Sequence, residues 1–283
     1  MLISFTNANN ITFNITGNYI LSPNWSGFED LPVDIKMSKA PYQDGKTYID
    51  TVIDPKNPII EFTIKGQNRQ EIFDRRRTVL NHFNPKLGLG TLKWVQEDGT
   101  TFYLDCIPRQ PVFPSGEGQS SSHQVTIIQF VAPNPFWYDP VQIERIMVGF
   151  SGGFSFPFSF PFNLGTVGTQ IIVSNLGSVD TPIMIYFYGE VVNPTIKNLT
   201  TEEDISIIKT IADGEILIIN TAFGEKSVMI LSGGEYINAF EYIDSNSVFW
   251  KLKPGDNTVK YTVSSEGENA QCRLYYYNRF SGV

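Results

Sequence analysis

His82 and His123 are the only histidines in this 283-residue chain. So little imidazole argues against most metal clusters and most histidine-based catalysis. Gly149-Phe150-Ser151-Gly152-Gly153 has the spacing of a nucleophile elbow. That device needs a strand before the serine, a helix after it and a histidine later in the chain. Here a Phe/Pro run follows and both histidines precede Ser151, so an esterase is not expected. Glu202-Glu203-Asp204 gathers carboxylates, but glycoside hydrolysis needs two of them facing each other across a cleft. Neighbours following Thr200-Thr201 read as a solvated turn, although a pair formed by distant residues stays open. Asp244-Ser245-Asn246-Ser247 begins like a calcium loop and lacks its glycine and closing glutamate. There is no P-loop and no dinucleotide fingerprint. The expectation is no enzyme, no metal and no cofactor.

The remaining candidates are contact residues. Arg75, Arg76 and Arg77 form the only basic run. It is either the wet face of a helix or a salt-bridging surface against another subunit or protein. Six phenylalanines fall in residues 149–162, with Pro157 and Pro161 among them. Two prolines exclude a central strand. The rings either pack on the chain's own sandwich, or Phe154, Phe156, Phe158 and Phe160 anchor a protein contact. Trp250 and Tyr275–Tyr277 are the clusters a sugar platform would need. Alternation puts Tyr275 and Tyr277 on one strand face and Tyr276 on the other, so at least one is core. Cys106 and Cys272 sit in strand-like runs far apart. They read as reduced and buried, with a disulfide as the alternative. His82 falls at a helix C-terminus, which favours positive charge. His123 closes a Gly/Ser-rich stretch, Ser115–His123, that reads as a mobile loop or arm.

These residues need elements to hold them, and the patterning is mostly β. Val33, Ile35 and Met37 alternate with Asp34, Lys36 and Ser38; Ile60, Phe62 and Ile64 alternate with Glu61, Thr63 and Lys65. Both predict half-buried strands with one wet face. Further strands are expected over Thr91–Gln96, Thr101–Pro108 and Gln124–Ala132, with Asp98-Gly99 as a hairpin turn. One helix interrupts them, from Asn68 to Phe83. Its apolar residues share a face, Asn68 and Glu71 have capping-box spacing, and Asn84-Pro85 ends it. Three prolines between Ala132 and Pro140 mark a boundary, giving domains 1–135 and 136–283. The second half reads as strands over Gln170–Ser174, Ile183–Tyr188, Ile205–Ile211, Glu215–Asn220, Lys226–Leu231, Val248–Leu252, Thr258–Val263 and Gln271–Tyr277. Glycine turns between them predict an antiparallel β-sandwich. The fold class is mainly β: an N-terminal β-rich domain with one α-helix, then the sandwich.

Charge is unevenly spread. Residues 1–135 carry 12 basic and 13 acidic side chains, net −1; residues 136–283 carry 9 and 16, net −7. A total of −8 disfavours general affinity for nucleic acid. The N-terminus lacks the basic start and apolar stretch of a signal peptide, and no run long enough for a membrane span occurs.

Several segments, in order, resemble the distal tail protein family of siphophages. They are Asp44-Gly45 before Tyr48, the strand Ile59–Gly66, the helix with Asn84-Pro85, Leu92-Lys93-Trp94 before Asp98-Gly99, and Tyr103-Leu104-Asp105-Cys106. The junction Ala132-Pro133-Asn134-Pro135-Phe136-Trp137-Tyr138 follows. Then come the Phe-Pro-Phe repeats at 156–158 and 160–162, Asn175-Leu176-Gly177 with Thr181-Pro182, Tyr188-Gly189 with Asn193-Pro194, and Phe249-Trp250 through Leu252-Lys253-Pro254-Gly255-Asp256-Asn257. The resemblance spans nearly the whole chain. It implies a virion protein at the tail tip, assembled in the bacterial host cytoplasm. Its N-terminal domain would form a tail-tube-like homo-hexameric ring around a channel that DNA crosses without specific binding. Implied partners are the tail tube protein, the tape measure protein and the tail hub or tail-associated lysin. A galectin-like C-terminal domain would hold receptor-binding or other baseplate proteins. The alternative is a carbohydrate-binding module that contacts the bacterial surface.

Overall fold

The computed structural model describes residues 2–148, 168–267 and 269–283. The chain divides into two compact units, residues 1–140 with 280–283, and residues 141–279.

The first unit is built on β1 (Leu2–Thr6), β2 (Thr12–Asn14), β3 (Tyr19–Leu21), β4 (Val33–Ser38), β5 (Thr47–Ile53), β6 (Ile59–Lys65), α1 (Arg69–His82), β7 (Gly90–Val95), β8 (Thr101–Pro108), β9 (His123–Val131) and β10 (Trp137–Tyr138). Its main sheet runs β2-β1-β7-β8-β9-β6-β3 with antiparallel pairing. The β7–β8 hairpin turns at Asp98-Gly99 as the sequence predicts; Gly99 takes φ 88° there, open to glycine at little cost. Alternate residues of β6, β8 and β9 point inward and build a core with Ile3, Phe5, Leu92 and Trp94. The helix closes it with Ile72 and Val79, followed by Phe83. Asn68 caps α1, its side chain accepting from the Glu71 N–H at 3.0 Å. Glu71 reaches back to the Gln67 N–H at 2.7 Å rather than to Asn68, one residue beyond a standard capping box.

Two sequence expectations change here. Trp137 and Tyr138, assigned to the second half by a boundary after residue 135, belong to the first unit. Trp137 is fully buried and donates to Phe28 O at 2.9 Å, and Tyr138 pairs with Tyr103. The alternation in β4 is real, but its apolar face is not half-buried: among the described residues β4 and β5 form a two-stranded ribbon with no third strand.

The second unit contains β11 (Ile143–Val148), β12 (Gly168–Asn175), β13 (Met184–Tyr188), β14 (Val191–Val192), β15 (Thr195–Asn198), β16 (Glu203–Ser206), β17 (Thr210–Ile211), β18 (Ile216–Asn220), β19 (Ser227–Ser232), β20 (Glu235–Asn238), β21 (Gly255–Thr262), β22 (Ser265–Glu266) and β23 (Gln271–Tyr276). A six-stranded sheet, β11-β23-β13-β18-β19-β20, and a four-stranded sheet, β12-β21-β15-β16, enclose one core. Ile185, Phe187, Leu217 and Leu274 come from the first, and Val173, Ile196, Val259 and Tyr261 from the second. This is the expected sandwich. Val248–Leu252 departs from expectation. Trp250 and Leu252 are buried, yet only Leu252 makes a bridge, to Thr181, so the segment is core-packed without a ladder. Cys106 and Cys272 are both buried and unpaired. Burial raises both thiols well above their usual pKa, which suppresses the reactive thiolate.

Candidate functional site: exposed contact surfaces

The described residues that suggested chemistry make local contacts within their own unit. His82 is buried, with Nε2 3.0 Å from Phe5 O among the rings of Phe5, Phe13 and Phe83. Burial lowers its pKa, opposing the charged form expected at a helix C-terminus. His123 Nδ1 contacts Ser120 Oγ at 2.6 Å. The loop before it is tied down by Gln124, whose amide donates to Pro114 O and Val125 O, both at 2.9 Å. Glu203 and Asp204 alternate along β16 beside an exposed Glu202, as a turn leading into a strand. Asp244 Oδ1 accepts from the Asn246 N–H at 2.8 Å, which is a local turn. Among the described residues no group of three or more His, Cys, Asp or Glu side chains could hold a metal ion.

The arginine triplet is largely engaged within its own unit. Arg75 pairs with Glu71 and donates to Lys65 O. The Arg76 guanidinium lies 4.4 Å from the centre of the Phe113 ring. Arg77 pairs with Asp74 at 3.2 Å and remains 74% exposed, so it is the member most available to a partner. Phe154, Phe156, Phe158 and Phe160 lie outside the described residues, as does Ser151. Of the possible sugar platforms, Trp250 is 1% exposed and donates to Ile196 O, and Tyr276 is buried with its hydroxyl on Ser174 O. Only Tyr275 and Tyr277 remain partly accessible.

Two apolar surfaces were not singled out by sequence reasoning. The first is the β4–β5 ribbon. Val33 faces Ile53, Ile35 faces Thr51 and, past an irregularity at Lys36/Met37, Met37 faces Tyr48. Cross-strand partners share a face. One side of the ribbon is therefore almost wholly apolar, yet Val33, Ile35 and Met37 are 46%, 50% and 49% exposed. The alternation was legible; the absence of a cover among the described residues was not.

The second is the outward side of the six-stranded sheet. A single cross-strand row reads Ile146, Arg273, Tyr186, Ile218, Met229 and Asn238. The next reads Val148, Gln271, Tyr188, Ile216, Leu231 and Tyr236. An antiparallel sheet with one wet face normally turns polar residues outward; here Tyr, Met, Ile and Leu dominate. The charges are compensated on the spot. Glu144 accepts from Tyr275 at 2.7 Å and from Arg273 at 3.0 Å, and the Arg273 guanidinium sits 5.0 Å from the Tyr188 ring centre. The Tyr275 hydrogen bond, followed by Arg273, holds Glu144 below its ordinary pKa. Tyr, Met and Arg enrichment is the composition of protein interface cores.

Among the described residues, a β-rich unit with a helix, a β-sandwich and two partly exposed apolar surfaces fit a component built for protein contacts. The chain belongs to the siphophage tail components of the distal tail protein family: residues 8–159 match the phage tail protein RIFT-related domain, and residues 176–280 match the siphovirus-type tail component, C-terminal domain. No curated protein matches the sequence. Among solved structures, the SPP1 Dit (gp 19.1) protein superposes with a TM-score of 0.73 at 9% identity, over 99% of this chain and 100% of that one. That protein is described as a paradigm of the hub adsorption apparatus in phages infecting Gram-positive bacteria. A chain of the phage P2 baseplate in its activated conformation with Ca gives 0.53 at 11% identity, over the full length of both chains. The same baseplate with Sr gives 0.53 at 11%, over 100% and 99%. At such identities these likenesses speak to fold.

Proposed function

We propose that this protein is the structural hub of a siphophage tail tip: a homo-hexameric ring that joins the tail tube to the baseplate and leaves an axial channel for DNA. The observation that carries it is the β4–β5 ribbon. An isolated two-stranded ribbon is marginal in water, and one with a bare apolar face gains most from a neighbouring surface. A ring is a head-to-tail assembly in which each copy offers two different patches, and an extended ribbon laid on the next copy is one such patch. The first unit thus builds the ring and faces the tail tube, tape measure and hub proteins. The second unit, galectin-like in kind, presents its outward tyrosine-rich sheet face to a receptor-binding or other baseplate protein. Membership of a structural tail family supports this reading, as does the likeness to a hub protein. Electron microscopy of the purified protein is expected to show six-fold rings with a central opening. Monomers or open chains at every concentration would contradict it.

A further inference from the structure

Apart from the ribbon and the outward sheet face, the first unit holds an aromatic cleft of about 580 Å³ with an acidic rim. One wall is Trp25 and Glu29; another is the end of β7 and its turn, with Trp94, Gln96 and Glu97; Ser281, Gly282 and Val283 form the third. The walls are rigidly held. Lys56, fully buried, donates from Nζ to Ser281 O at 2.8 Å and to Phe28 O at 3.1 Å. Gly282 runs so close to Glu29 that an added Cβ would meet Glu29 O at 2.2 Å. The rings are locked too: Trp25 and Trp94 lie 5.5 Å apart and each meets Phe28 edge-on, at 5.4 and 5.0 Å.

Two independent features say what the cleft takes. Its charged lining is acidic: Glu29 and Glu97 are both exposed, and no basic side chain lies among the described residues that line it. Trp94 is 3% exposed and forms the floor, while the Trp25 ring beside it is partly exposed. An indole face beside carboxylates suits a planar cation, which stacks on the ring and donates to the acids at once. We propose that this cleft receives an arginine side chain from an extended segment of a partner protein. The guanidinium lies between Trp25 and the carboxylates of Glu29 and Glu97. The carboxylates select the cation, and the Trp25 indole gives it a flat seat.

The probe is acetyl-Gly-Arg-Gly-amide, titrated against the full chain by intrinsic tryptophan fluorescence. The control is the same peptide with citrulline, which keeps the shape and loses the charge. The arginine peptide is expected to give a saturable change, at least about tenfold weaker for citrulline, and weaker again as salt rises. Glu29→Gln with Glu97→Gln should lose that preference while leaving the far-UV circular dichroism unchanged. Trp25→Phe should reduce the amplitude of the response. Equal responses to both peptides would overturn the proposal in favour of a neutral ligand. No saturable change up to about 10 mM peptide would also overturn it, as would an unchanged preference in the double glutamate variant. The peptide is free in solution, so its failure bears on the cleft and not on ring formation.

Discussion

His82 Nε2 lies 3.0 Å from Phe5 O inside an aromatic cluster, and burial lowers its pKa below the usual 6.5. The unfolded chain therefore takes up this proton first as pH falls, and stability is lost on acidification through the mildly acidic range. His82→Gln should flatten the dependence of unfolding free energy on pH between about 7 and 5, measured by urea denaturation. An unchanged slope would assign the acid sensitivity to other groups. Lys56 obeys the same rule at higher pH. Desolvation, partly offset by Asp30, brings its pKa from 10.5 to about 8. Between those values the unfolded state binds more protons, so stability rises with pH across that window. Lys56→Met should remove this rise, read as the difference between parent and variant at about pH 8 and 10. Neither role was legible in the sequence. His82 looked like a favourable charge at a helix end, and Lys56 had no pattern around it. Both depend on backbone carbonyls from remote segments.

Elements were more legible than residues because periodicity and capping are local. The helix, its Asn68 cap and the Asp98-Gly99 hairpin all occur where the sequence places them. Asn68→Ala should cost about 1 kcal/mol of stability in the first unit, seen in thermal unfolding, with the fold unchanged. Val248–Leu252 misled because alternation records burial, and a segment can bury alternate residues without joining a ladder. The ribbon shows the converse. Its alternation marks a face meant for burial, but no sequence pattern says whether the cover comes from the same chain. Ile35→Asp with Ile53→Asp places charge on that face while touching no core residue. The account predicts a folded protein, with unchanged circular dichroism and melting behaviour, that no longer assembles. Loss of the fold itself would show that the ribbon stabilises its own subunit.

At the scale of the molecule, the three prolines between Ala132 and Pro140 lie beside the division of the two units after Pro140, and only the two-residue strand β10 interrupts them. The sequence cannot show that residues 280–283 return to the first unit, because that depends on packing between segments far apart in the chain. The uneven charge, net −1 in residues 1–135 and net −7 in residues 136–283, leaves the first half nearly neutral. Copies of it can approach one another without strong mutual repulsion. Light scattering behind a sizing column, on the parent chain and the double ribbon variant across a concentration series, tests the central claim most directly. The account predicts a parent species near six times 31.9 kDa, or a stacked pair of such rings, and a variant near 31.9 kDa. A monomeric parent at every concentration, or a variant that assembles as the parent does, would contradict it.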